Sequence, residues 1–326
     1  MEPECSNFLH QALKSLKHKG LKTKDPAMRL DDIGQSGNVE DRRGSGGGGI
    51  MRGGGLGFGG MVAAGLLAWF LGIDPRIIMG GAELVSRGAG SLTQGSSSGK
   101  RGPVQDEIGQ FASRVFSVNE KIWSQVLPAQ AGQIIRGAEG TRYQPPQLVL
   151  FTGATRSGCG GASSAMGPFY CPEDRKVYLD LSFFQEMATK LRAGGDFAYT
   201  YVIAHEVGHH IQNQLGILPQ VQQRQKQVSR REANALSVRL ELMADCLAGV
   251  WTNNARDIIK LDEGDVREAV NAAQAIGDDR LQKQSQGQVI PDSFTHGTSE
   301  QRTRWFMQGL KSGQMGQCNT FSARDV

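Results

Sequence analysis

The chain has 326 residues, 39% of them hydrophobic and 21% charged, and a formal net charge of +4. That is the balance of a globular protein over most of its length, with room for two average domains or for one domain and a long appendage. The modest charge gives no case for a nucleic-acid partner.

Two counts are uneven: 44 glycines and only six histidines. In chain order, residues 1–27 form a basic, weakly helical leader, and Met28 offers an alternative start. Residues 28–60 are polar and then glycine-rich, and the run 44–60 is too poor in side chains to pack a core. Within 61–80, the stretch MVAAGLLAWFLGI is uncharged and apolar. It reaches the length of a membrane span only with its glycine-rich start included. Arg42, Arg43 and Arg52 precede it, which favours a cytoplasmic N-terminus and an exported C-terminal part. The reading is a single-pass membrane helix with the catalytic domain in the periplasm or outside the cell; a short apolar helix docked on protein is the alternative. Residues 81–102 have a Gly/Ser linker composition, and a folded domain is expected over 103–326.

Inside that domain, apolar residues at helical spacing predict a helix over 106–127, stopped by Pro128. Residues 147–152 and 176–181 read as strands, and 157–167 as a loop or loose edge strand. Ser182 is placed to cap a helix running to about Leu191. Helices follow at about 196–214, 228–255, 262–283 and 299–311. Few strands followed by many helices predict an α+β fold, a small sheet with a predominantly helical remainder.

The four domain cysteines suit two disulfides in an exported domain. Cys159 and Cys171 flank a short loop and are the favoured local pair, which leaves Cys246 with Cys318. Four reduced thiols are the alternative.

The helix at 196–214 contains His205-Glu206-Val207-Gly208-His209, the pattern H-E-x-x-H. Histidines at i and i+4 leave a helix from one face, so their imidazoles can share a tetrahedral zinc ion with Glu206 beside them. Incidental histidines on a surface helix are the bland alternative. A catalytic zinc also needs a third protein ligand and an open position. A third histidine three residues beyond a glycine is excluded, because Gln212 and Leu215 occupy those positions. Glu241 and Asp245 lie at i and i+4 in the apolar segment RLELMADCLAG. Burying them is costly unless they pair or bind metal. Either could be the ligand, the other accepting a ligand histidine's N–H. His296 precedes the last helix and is a candidate donor to an oxyanion; capping that helix or a fourth metal bond are its other roles. His210 points about 100° away from His209, which suits packing.

These stretches resemble the glutamate-ligand zincin metallopeptidases. They resemble more closely a bacterial family described as "putative neutral zinc metallopeptidase". The resemblance rests on NVEDRRG (38–44), SAMGPFYCPEDRKVYLDLSFF (164–184), AHEVGHHIQ (204–212), ELMADCLAG (241–249) and HGTSEQRTRWF (296–306), in that order. It implies a zincin-like domain on a single-spanning anchor and one catalytic Zn2+ held by His205, His209 and Glu241, with Asp245 behind. It also implies Glu206 as general base and a peptide or protein substrate. In zincins the peptide lies along an edge strand, and the candidate is within 160–167, at Ala162, Ser163, Ser164, Ala165 and Met166. The rival is a membrane-tethered zinc scaffold that binds a partner without cutting it.

Overall fold

The computed structural model of the protein describes residues 28–44 and 99–326. Strands β1 (Val39–Asp41), β2 (Lys100–Arg101) and β3 (Gln147–Phe151) are followed by a hairpin, β4 (Ala154–Ser157) and β5 (Gly160–Ser163), and then by β6 (Phe169–Cys171) and β7 (Lys176–Asp180). Five of them form one sheet in the order β2-β1-β3-β7-β6, while β4 and β5 pair only with each other. The centre is parallel and both edges are antiparallel. Alternation sorts the side chains: Leu148, Leu150, Val177 and Leu179 face the helices, and Val149, Phe151, Tyr178 and Cys171 form a small second core with Cys159. The fold is α+β, as the element pattern predicts, with eight α-helices among the described residues.

β1 went unread, being three residues long with two acids. Its Glu40 is buried because Arg42 at 2.7 Å and Lys176 at 3.1 Å pair with it. Met28 and Leu30 are buried in the main core as well. The folded body therefore begins before residue 103, and part of the segment expected as 28–60 is built into it. β1 sits between β2 and β3, so Gly44 and Gly99 leave and re-enter one body. Arg42 and Arg43 are ion-paired inside the fold, Arg42 with Glu40 and Arg43 with Asp41 and Asp106. Residues 1–27, 45–60, the 61–80 span and 81–98 lie outside the described residues. Among the described residues no helix is long and apolar enough to cross a membrane.

Helix α1 (Glu107–Gln130) starts on the Asp106 cap and runs past Pro128, where a stop was expected. Pro128 lies in its last turn and removes only one ladder bond there. Helix α2 (Ser182–Thr189) begins at Ser182, so Leu181 and not Ser182 holds the N-cap position, and the Ser182 N–H donates to Asp180 Oδ1 at 3.0 Å. Next come α3 (Asp196–Gln214), α4 (Ile217–Gln225), which was not expected, and α5 (Arg230–Ile259). The helix expected over 262–283 is two, α6 (Glu263–Ala275) and α7 (Asp278–Gln286). They part at Gly277, which lies against Ser299 so closely that a Cβ would clash. The last helix is α8 (Ser299–Ser312).

Glycines set how closely the helices cross. A Cβ on Gly208 of α3 would stand 3.1 Å from the Ala244 carbonyl of α5. A Cβ on Gly249 of α5 or Gly309 of α8 would overlap the facing backbone. Both disulfides pair as the spacing suggests. Cys159–Cys171 ties the β4–β5 hairpin to β6, and Cys246–Cys318 ties α5 to the C-terminal turn. The second closes a loop of sequence separation 72, the first one of 12. Loop-closure entropy then predicts a loss of about 4 kcal/mol for the Cys246→Ser/Cys318→Ser pair and about 3 kcal/mol for the other pair. Denaturant titration of each double variant checks this ranking, and a larger loss for the short loop would contradict it.

Candidate metal centre

The α3–α5 crossing brings the predicted ligands together. On α3, Tyr201, His205 and His209 recur every four residues and share one face. On α5, Glu241 and Asp245 face them. His205 Nε2 lies 3.1 Å from Glu241 Oε2, and His209 Nε2 lies 3.4 Å from Glu241 Oε1. One ligand atom from each of the three residues falls within 4.8 Å of the others. His205 is buried, while His209 and Glu241 are half-buried, so the cluster borders solvent.

Both imidazoles are fixed from behind. His205 Nδ1 is 2.8 Å from Asp245 Oδ1, and His209 Nδ1 is 2.9 Å from Gln212 Oε1. Gln212 is itself oriented, donating from Nε2 to the Leu240 carbonyl at 2.7 Å. These acceptors assign the proton to Nδ1 in each neutral ring and aim the Nε2 lone pairs at the oxygens of Glu241. Electron-rich atoms facing one another this closely call for a shared cation. Two imidazole nitrogens and a carboxylate are a donor set that suits zinc. The protonation equilibria express the same demand. Burial disfavours the His205 imidazolium, but Asp245 and Glu241 outweigh it and raise its pKa to about 10. Burial likewise opposes charge on Glu241, yet the two histidines hold its carboxyl well below the usual range.

Asp245 is the hub behind the cluster. It is fully buried and accepts from the Tyr201 hydroxyl at 2.5 Å, from Arg302 Nε at 2.9 Å and from Arg302 Nη2 at 3.0 Å, besides meeting His205. Sequence reading missed Tyr201, Arg302 and Gln212. Tyr201 was legible as the position one turn before His205, and Gln212 as i+3 from His209. Arg302 carried no local signal.

Glu206 is buried beside His205. Burial raises its carboxyl pKa, with His209 and His205 pulling the other way and a backbone bond from Tyr170 also lowering it. Tyr170 belongs to β6, the sheet edge that packs on α3, and its hydroxyl also meets His210 Nδ1 at 3.0 Å and Asn213 at 2.8 Å. His210 is buried against Tyr143 and Tyr170, and burial lowers its pKa to about 4, so it serves packing. Residues 160–167 lie elsewhere than at this edge. Ala162 and Ser163 sit on β5 of the separate hairpin, and Ser164, Ala165 and Met166 form a 3-10 turn. Ser164 Oγ there donates to Asp180 at 2.6 Å. His296 stands in the turn before α8, within electrostatic reach of Glu241.

Comparison with known proteins points to a zinc family. A family model described as "Putative neutral zinc metallopeptidase" matches residues 28–321. The chain is 48% identical over 300 residues to the uncharacterized protein YpfJ of Escherichia coli K12, covering 90% of this chain and 99% of that protein. It is 40% identical over 218 residues to the uncharacterized protein Rv2575 of Mycobacterium tuberculosis H37Rv, covering 64% of this chain and 68% of that one. No solved structure matches. With the match running from the buried Met28 through both helices that carry the candidate ligands to the C-terminal turn, the chain belongs to the family described as "Putative neutral zinc metallopeptidase".

Proposed function

We propose that the protein is a zinc-dependent peptidase that uses His205, His209 and Glu241 to hold one zinc ion. The observation that carries the reading is a cluster of three donors among the described residues, half-open to solvent, with a buried carboxyl beside it. Four protein ligands would suit a closed structural site and the scaffold reading; three leave room for water or substrate. A zinc ion bound there supplies Lewis acidity to a carbonyl and lowers the pKa of water toward neutrality. Glu206 takes a proton from the attacking water on its carboxylate and returns it to the leaving amine as the C–N bond breaks. His296 donates to the developing oxyanion. The free edge of β6 is the strand to which an extended peptide adds. The two disulfides favour an oxidising compartment, so we place residues 28–44 and 99–326 together on the exported side.

The test joins metal analysis to turnover. The wild-type protein should carry one zinc per chain and cleave members of a broad peptide library. Glu241→Ala should weaken zinc binding by more than about a hundredfold, beyond what loss of an outer partner costs. Full zinc occupancy in that variant would move the ligand role to Asp245. A zinc-loaded wild type that cuts no peptide would remove the peptidase reading.

A further inference from the structure

The turn that ends β6 carries a positive charge with no ion-pair partner. β6 and β7 run antiparallel, with Tyr170 opposite Val177 and Cys171 opposite Lys176. The Tyr170 backbone N–H turns outward to the Glu206 carboxyl. Antiparallel bonding alternates along a strand, so the Tyr170 carbonyl faces outward too and is the acceptor that β6 offers to an added peptide. The reacting bond of such a peptide lies near Tyr170, beside Glu206.

Arg175 closes the 172–175 turn, two residues along the ribbon from the Tyr170–Val177 pair, a step of about 7 Å. It is exposed, and its Nη1 donates to Gln144 Oε1 at 3.2 Å. Its charge reaches Tyr170 and His210, which puts the guanidinium by the gap between β6 and the C-terminal half of α3. Among the described residues no carboxylate pairs with it. The adjacent Asp174 is engaged elsewhere, accepting from the Gly158 N–H and the Tyr178 hydroxyl, each at 2.6 Å. The Arg175 backbone has a φ of +57°, where glycine or asparagine is the usual occupant, and its carbonyl accepts the Gln147 N–H at 3.3 Å. An arginine held there against its backbone preference points to a use for its side chain.

We propose that Arg175 is a specificity-determining residue: its guanidinium receives the carboxylate of an aspartate or glutamate side chain in the peptide that adds to β6. This rests on the peptidase reading and names the substrate class it takes. A carboxylate there gains charge-assisted hydrogen bonds from the planar guanidinium, whereas a lysine or arginine meets a like charge. The pair forms at a solvent-exposed rim, so salt weakens it.

The test uses the zinc-loaded full chain and peptides blocked at both ends. A single Glu is moved along an otherwise neutral sequence and compared with Gln at the same position. In the wild type one position should favour Glu by about tenfold in kcat/KM at low salt, and less as salt rises. Arg175→Gln should abolish that preference, Arg175→Lys should keep part of it, and Arg175→Glu should move it to Lys. Equal rates for Glu and Gln at every position in the wild type overturn the proposal without any variant. A Glu preference that survives Arg175→Gln overturns it as well. A wild type that cuts no peptide defeats the peptidase reading, and binding of the same peptides, read by fluorescence anisotropy, then decides the role of Arg175. Glu-selective binding lost in Arg175→Gln sustains that role, and equal binding of Glu and Gln peptides removes it.

Discussion

Glu206→Gln should keep its zinc and lose peptide hydrolysis by about a hundredfold to ten-thousandfold. The substitution is isosteric, so the packing around this buried side chain survives. What it removes is the ability to accept a proton. Glu206 lies on α3 directly after His205, and burial holds its pKa above that of an exposed glutamate. A carboxyl tuned upward can both take a proton from water and part with it again to an amine. The measurement pairs zinc content with turnover on one preparation. Wild-type turnover in the variant would remove Glu206 from the chemistry. Loss of zinc would mean that the residue supports the metal site instead.

Arg302→Leu should cost about 3–5 kcal/mol of stability, read from denaturant unfolding. Arg302 and Asp245 are both buried, and Arg302 makes two hydrogen bonds to that carboxylate. Removing the guanidinium strands a full negative charge that water cannot reach, with only Tyr201 and His205 left to answer it. The double variant Arg302→Leu/Asp245→Asn should recover part of the loss, because the stranded charge is gone. A single variant within about 0.5 kcal/mol of wild type, the range of ordinary surface changes, would show that the pair carries no such weight.

The local chemistry of the site was legible in the sequence, and its support was not. His205, Glu206 and His209 announce themselves because helical spacing fixes which side chains share a face. Glu241 and Asp245 stood out as acids in an apolar segment, where burial needs a partner. Arg302 had no such mark: it is one of several arginines near the C-terminus, and only the α5–α8 crossing at Gly249 and Gly309 brings it to Asp245. Helix boundaries slipped where an outside group replaced the expected signal, as Asp180 does for Ser182. Glycine and serine composition suggested an edge at 160–167 without saying which sheet owns it, and β5 pairs in the separate hairpin. β1 was invisible to periodicity, since three residues offer one alternation and two of them are acids.

That short strand bears on any attempt to trim the protein to its well-behaved part. A truncation at residue 103, where the composition turns ordinary, would delete β1 and β2 together. β3 would then present Leu148, Val149 and Leu150 along an uncovered flank, with unpaired backbone groups that invite another chain to add. Such a fragment would be prone to self-association for a reason unrelated to its chemistry. A fragment that keeps residues 28–44 and bridges directly to Gly99 retains the strand that shields this flank.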